Sequence, residues 1–407
     1  MVTPLPVTSM NGKAFNAFLN WCDGEGEGAY KKPVFGYPIE YDAGMIGPIS
    51  ESEVMQCRKV SEAEIDHPTR NKSILPRVGS DQEFKFNRAA FQQLNTLRFR
   101  LEKEGLFRIS PLRVFSELII CLAAFCLSFS YYMQFPVIAV VAQIIACIHI
   151  VWWIHDAGHQ AYFESKSLSQ FVCEVAGQIF LGMPQLEYHF GIHRQHHRDT
   201  NIIQKDPALQ TGPVTWHPAQ REHESKTVAR SRPLIWLMVV LPLTWPIMTF
   251  NFARLLFVEK NFFRLSITIG RWILFLFLFK DRIPLLIIPP LVAGFVLGLS
   301  ASLNHFHMPI WNCQIPWLNR VFLSTQNISP ESKFLGWLMG GLNCHVEHHL
   351  FPRMPSYQLA KASVHVRAFA RELDLPYHTH GLVPSFHLLL RKLKEEDNFE
   401  SSKGEVV

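Results

Sequence analysis

Apolar residues along this chain gather into long runs separated by polar stretches. Residues 114–133 (VFSELIICLAAFCLSFSYYM) and 135–154 (FPVIAVVAQIIACIHIVWWI) are the clearest runs. Each is long enough for a helix to cross a hydrocarbon core of about 30 Å. Pro136 stands at the start of the second run, where a helix tolerates it. Tyr131, Tyr132, Trp152 and Trp153 fall at run ends, where interfacial aromatics belong. Two further runs, 264–280 and 284–302, predict a hairpin turning at Lys280-Asp281-Arg282. The run at 234–250 is interrupted by Pro242 and Pro246, and 171–183 is short and carries Glu174; both are expected at the interface. Arg271 inside the third span would cost about 2.5–3.5 kcal/mol at mid-bilayer. That span is therefore expected to tilt, or to turn Arg271 toward protein.

The flanks are polar. Residues 1–110 read as a cytosolic N-terminal region, partly disordered over 1–85, with Gly24–Gly28 and scattered prolines. Phe91, Leu94, Leu97 and Leu101 keep helical spacing and predict an amphipathic helix, leading to the membrane or packed on the cytosolic body. Arg98, Arg100, Arg108 and Arg113 precede the first span and place the N-terminus in the cytosol. Four crossings then return the C-terminus to the same side. Residues 356–375 and 385–396 predict helices, and 391–407 a charged tail. The expected fold is an all-α integral membrane domain over 111–390. It has four transmembrane helices, interfacial helices and a cytosolic helical cap.

Composition changes this picture little. Hydrophobic residues make up 48 % of the chain, and the mean hydropathy is only +0.08. A few spans with large polar parts are implied, not a transporter bundle. The net charge of +5 suits a face near anionic lipid or an acidic redox partner, and equally a merely solvated surface. No nucleic-acid partner is expected. Residues 1–30 have no long apolar run, so no signal or transit peptide is expected and internal spans drive insertion. None of the eight cysteines forms a CxxC pair; they read as small buried hydrophobes, Cys344 included.

The chemistry lies in three histidine clusters: His155-Asp-Ala-Gly-His159, His193-Arg-Gln-His196-His197 and His345-Val-Glu-His348-His349. Positions i, i+3 and i+4 share a helix face, so each cluster can present its imidazoles together. Eight imidazoles exceed the needs of one metal, and two metals with four or five nitrogens each fit better. Imidazole suits iron, copper, zinc and nickel, so the residues alone leave the element open. A ninth ligand is expected from His305 in preference to His307. Asn304 is placed to hold a metal-bound water. Asp156, Glu187, Asp199, Asp206 and Glu347 lie among the clusters, and one or two of them are expected to orient ligand imidazoles. His189, His217 and His223 fall outside the spacing and read as ordinary polar residues.

These clusters resemble those of the integral-membrane fatty acid desaturase family. The resemblance runs over about 110–390. It extends to His197-Arg-Asp-Thr-Asn201, Lys205-Asp206-Pro207, Asn304-His305, Met308-Pro309 and Asn343-Cys-His-Val-Glu-His-His-Leu-Phe-Pro-Arg-Met-Pro355. The pattern is similar to the front-end branch, in the form lacking a fused cytochrome b5 domain. The resemblance implies four spans and a di-iron centre. Its ligands would be His155, His159, His193, His196, His197, His345, His348 and His349, with His305 the ninth. It implies an O2-dependent dehydrogenation of a lipid acyl chain to a cis double bond. Electrons would come from cytochrome b5 and its NADH-dependent reductase in the endoplasmic reticulum, or from ferredoxin in a plastid or bacterial membrane. A cytochrome b5 haem needs two axial histidines, and residues 1–148 contain only His67, so the expected donor is a separate protein. Front-end members usually begin the third cluster with glutamine, and His345 is the methyl-end pattern, which leaves the double-bond position open.

Three other activities compete. A lipid hydroxylase or sphingolipid desaturase would use the same iron chemistry. A membrane zinc hydrolase would need fewer histidines and a glutamate base, for which Glu347 is the candidate. A catalytically silent homologue would have no reason to keep every cluster histidine.

Overall fold

The computed structural model describes residues 88–186, 188–202, 205–210, 226–311 and 316–394. The expected N-terminal region up to residue 87, Cys22, Cys57, His67, Glu187, His217, His223, Cys313 and the tail beyond 394 lie outside the described residues. Among the described residues the architecture is all-α, with one sheet of two short parallel strands.

Helix α1 (Arg88–Lys103) buries Leu94, Leu97 and Leu101 and packs against a later helix, α13 (Ser356–Glu372). Its apolar stripe thus packs on the helical cap. Helices α2 (Pro111–Tyr131) and α3 (Pro136–Gly158) each carry proline in the first turn, where no N–H is needed, and pack along each other. Trp153 Nε1 donates to the Val114 carbonyl across this pair at 3.0 Å. Leu112, Phe115, Ile119 and Ile120 of α2 are exposed, as a lipid-facing surface requires. In α3, by contrast, every residue from Ile150 to Gly158 is buried.

Helix α4 (Lys166–Ala176) runs into a π-helical turn, Gly177–Leu181, and exposes Leu168, Phe171, Val175 and Ile179 on one side. A second π-helical turn, Tyr188–His193, leads into α5 (Arg194–Asp199). Helix α6 (Lys226–Ile235), extended by a π turn to Val240, and α7 (Thr244–Val258) follow; the apolar stretch they share bends by 70° between Val240 and Thr244, where Pro242 sits. Next come α8 (Phe262–Leu278) and α9 (Ile283–His305).

Among the described residues three helices, α2, α3 and α9, are long and apolar enough to cross a membrane, and the bent α6–α7 pair would make a fourth if it counted as one span. The fourth span expected at 264–280 is α8, which has 17 residues, the short end of the spanning range. Its partner also differs from expectation. The α8–α9 connection is tight, but α8 leans mainly on α7 and on the π turn after α4. The reason is polar. Glu174 pairs with Arg264 at 2.7 Å, and Thr268 donates to Gln178 at 3.0 Å. Arg271 donates to the carbonyls of Ile179 and Phe180, and Trp272 Nε1 to that of Gly182. Arg271 therefore faces protein and satisfies carbonyls at the end of a helix, groups that lipid could not.

Helix α9 contains Pro289 and Pro290. Pro289 has no N–H for the Leu285 carbonyl; Gln143 of α3 donates to it at 3.0 Å. Gly294 lets α7 approach: a Cβ there would lie 2.9 Å from the Pro242 carbonyl oxygen.

The cap comprises α10 (Trp317–Ser324), β1 (Asn327–Ile328), α11 (Lys333–Leu338), α12 (His345–Leu350), α13, β2 (Thr379–His380) and α14 (Leu382–Lys394). Strand β1 pairs with β2 in parallel, Asn327 opposite Thr379. Of the described cysteines, Cys121, Cys147, Cys173 and Cys344 are buried and unpaired, while Cys126 is exposed.

Candidate metal centre

The three clusters and the end of α9 converge. His155 and His159 come from the end of α3, His193 from the π turn, His196 and His197 from α5, His305 from the last turn of α9, and His345, His348 and His349 from α12. All are buried except His193, which is half-buried.

Two groups form. His155, His159, His193 and His348 bring their ligand atoms within 4.8 Å of one another, and so do His196, His305 and His349. His197 joins the first group, its Nε2 3.3 Å from that of His193 and 3.1 Å from that of His348. His345 joins the second, its Nε2 2.8 Å from that of His305. Neighbouring residues on a helix point about 100° apart. The paired histidines 196/197 and 348/349 therefore each send one ring to either group.

The donor set fits metal ions. Nε2–Nε2 separations are 3.1 Å for His155–His193, 2.8 Å for His159–His193 and 3.3 Å for His196–His305. Imidazoles bound at about 2.0–2.1 Å to one ion stand about 2.9 Å apart at right angles and about 3.4 Å apart at the tetrahedral angle. Burial, and after it the neighbouring imidazoles, hold His159, His193, His197, His345, His348 and His349 well below the usual histidine range. These rings are neutral at pH 7, the form that binds a metal.

Several rings are oriented from behind. His196 Nδ1 lies 3.0 Å from both carboxylate oxygens of Asp206, and His305 Nδ1 donates to the Ser324 carbonyl at 2.8 Å. His349 Nδ1 is 3.4 Å from the Thr200 hydroxyl. Asp206 is wholly buried and also accepts from the backbone N–H groups of Asn201 and Ala208. The signal in the sequence was Asp206 itself, ten residues after His196; Thr200 stood only inside the His197–Asn201 motif, and the Ser324 carbonyl had no signal.

The other expected residues divide. His305 enters the second group, whereas His307 faces away, toward His380. Asn304 is fully buried; its Nδ2 donates to the Leu342 carbonyl, and its Oδ1 has no partner among the described residues. Asp156 reaches His155 only at 3.5 Å and accepts the Ser356 N–H at 2.9 Å, tying α3 to α13. Asp199 pairs with Arg198. The Glu347 carboxylate accepts from Asn327 at 2.8 Å and from Tyr377 at 2.6 Å, so it is not among the carboxylates seen to bond an imidazole. Burial pushes that carboxyl up, against those two hydrogen bonds. His189, read as an ordinary polar residue, is instead buried against His155, His159 and His193.

A narrow cavity abuts the first group. Its wall includes Val151, Ile154, Leu181, Met183, Trp245 and Leu297, together with His155, His189, Tyr188 and Gln185.

Apolar crossing helices whose ends bring imidazoles together define an integral-membrane, metal-binding enzyme. Residues 129–381 match the fatty acid desaturase family, and the chain belongs to it. It is accordingly an oxidoreductase acting on acyl chains. The chain is 25 % identical over 331 residues to a Delta(5) fatty acid desaturase of Caenorhabditis elegans, covering 74 % of this chain and 73 % of that one. It is 23 % identical over 333 residues to a Delta(6)-fatty-acid desaturase of the same organism, covering 74 % of each. With an acyl-lipid (8-3)-desaturase of Thraustochytrium it shares 26 % identity over 310 residues, 69 % of this chain and 68 % of that one.

Proposed function

We propose that the nine histidines hold two iron ions and that the chain is an O2-dependent acyl desaturase. The observation that carries this reading is the partition of nine imidazoles, eight of them buried, into two groups with ligand-like spacing, beside an apolar cavity. Iron bound there supplies the O2 chemistry that removes hydrogen from an unactivated C–H bond. The overall change consumes O2, two electrons and two protons, and releases an alkene and two waters.

The protein's own residues provide the rest. His155, His159, His193, His197 and His348 hold one ion; His196, His305, His345 and His349 hold the other. Asp206 and the Ser324 carbonyl fix the tautomer and rotation of their imidazoles. Asn304, whose Oδ1 has no partner among the described residues, holds a water at the second group. The cavity takes the acyl chain and excludes water from it. Electrons arrive from a separate cytochrome b5 with its NADH-dependent reductase, at the cytosolic face of the endoplasmic reticulum, with both termini on that side; ferredoxin is the counterpart in a plastid or bacterial membrane. The zinc hydrolase reading loses its base, because Glu347 is engaged by Asn327 and Tyr377.

The test is lipid profiling by mass spectrometry in yeast expressing the chain, beside the His196→Ala/His197→Ala variant, which removes one ring from each group. The expected result is a new unsaturated acyl chain, absent with the variant, and two irons per purified chain. A hydroxylated product would move the chain to the hydroxylase reading, and zinc without iron in active protein would overturn the di-iron centre.

A further inference from the structure

Helix α11 (Lys333–Leu338) belongs to the cap in chain order, yet it packs against the crossing helix α3. Its Leu335 is buried. Phe334 and Trp337, by contrast, are 64 % and 47 % exposed and stack with ring centroids 6.1 Å apart. The Trp337 ring lies 4.9 Å from that of His149 on α3. Trp152, further along α3, donates its Nε1–H to the Leu338 carbonyl at 3.0 Å. Gly340 keeps the chain pressed there: its φ is +56°, and a side chain on it would overlap the Trp152 ring.

The depth of this contact follows from the rise of the helix. Helix α3 exposes Val137, Ile138, Val141 and Ile145, a stripe that recurs about once per turn and faces lipid. His149 is the next position on that stripe, and there the Trp337 ring takes the place of lipid. From Pro136, the first residue of α3, to His149 the helix rises about 20 Å. The hydrocarbon core is about 30 Å thick. Trp337 therefore stands about 10 Å inside the border nearest the imidazoles, and any tilt of α3 sets it deeper.

The backbone of α11 suits that position, because its ends are satisfied from within the protein. The Ser332 hydroxyl accepts the Leu335 N–H at 3.2 Å, Trp152 covers the Leu338 carbonyl, and the Gly341 N–H bonds to the Gly336 carbonyl at 2.7 Å. Lys333, beside Phe334, is exposed and long enough to carry its charge back to the headgroups.

We propose that α11 is seated in the bilayer, with Phe334 and Trp337 against the acyl chains of the leaflet nearest the imidazoles. The partner is lipid because the aromatic pair continues the lipid-facing stripe of α3. Gly340 and Gly341, both at positive φ, then turn the chain toward His345, so the third histidine cluster follows directly on a membrane contact.

The test is photocrosslinking of the full-length protein in phosphatidylcholine vesicles. Benzoylphenylalanine replaces Phe334 or, in separate proteins, the exposed Ile119 of α2 or the exposed Val364 of α13. Phospholipid adducts are quantified by mass spectrometry. The yield at 334 is expected to match that at 119. It should exceed that at 364 about tenfold or more, since burying an aromatic pair favours the seated helix by at least that factor. Melting temperature is read on each protein, and Trp337→benzoylphenylalanine carries the test if the 334 protein is unfolded. A lipid yield at 334 no higher than at 364 overturns the proposal. Crosslinking in place of lipid to a second copy of the chain, or to another protein when yeast membranes are irradiated, overturns it too.

Discussion

At the residue scale, the centre depends on side chains that never touch a metal. Asp206 accepts from His196 and from two backbone N–H groups, so it sets both the ring and the loop after α5. Loss of such a partner typically weakens metal binding about 10–100-fold. Asp206→Ala is expected to lower metal affinity by that factor, read by chelator competition, and to empty the second group first. His307 gives a pH dependence of its own. Burial pushes its imidazole down to about 4, below the usual value near 6.5. The folded state therefore favours the neutral ring, while the unfolded chain binds the extra proton first as pH falls. Its contribution to stability is complete above about pH 6.5 and is lost between there and about 4. His307→Gln is expected to narrow the gap in denaturation midpoint between pH 7 and pH 5, relative to native protein. An unchanged gap would refute it.

At the element scale, two devices let irregular helices sit in a membrane. One is the bond from Gln143 to the carbonyl that Pro289 leaves open. Gln143→Leu is expected to cost about 1 kcal/mol, the scale of hydrogen bonds between membrane helices. In a Pro289→Ala background, where the backbone N–H returns to that carbonyl, the cost should vanish. A double-mutant cycle on thermal stability in detergent tests this; additive losses would sink it. The other device is the π-helical turn Tyr188–His193. Helical spacing predicts one face for His193, His196 and His197, but the π turn ends at His193 and α5 begins at Arg194. His193 then meets His155 and His159, while His196 turns to His305.

At the scale of the whole molecule, the imidazoles join segments far apart in the chain. His196 and His305 are 109 residues apart, and His197 and His348 are 151. Metals held there would cross-link α3, α5, α9 and α12 and satisfy nitrogens that burial has stripped of water. Chelation of the purified protein is therefore expected to lower its melting temperature well beyond any effect on an Asp206→Ala variant already depleted of metal. Equal shifts in the two proteins would argue against a structural role for the metal.

The apolar runs and the histidine spacing were legible because both are local. Run length against bilayer thickness identifies α2, α3 and α9, and i, i+3, i+4 spacing identifies eight of the nine converging imidazoles. His305 was legible only through its place at the end of a span. The tertiary structure decided everything that depends on distant partners. It alone divides the nine rings between two groups, because adjacent histidines diverge around a helix and the elements facing them are remote in sequence. It turns Glu347 onto Asn327 and Tyr377, although its place beside His348 suggested otherwise. It settles Arg271 on the carbonyls of Ile179 and Phe180, which no hydropathy pattern can pair with it. And it brings His189, outside every motif spacing, to the wall between three of those imidazoles and the cavity, since burial is a property of packing and not of spacing.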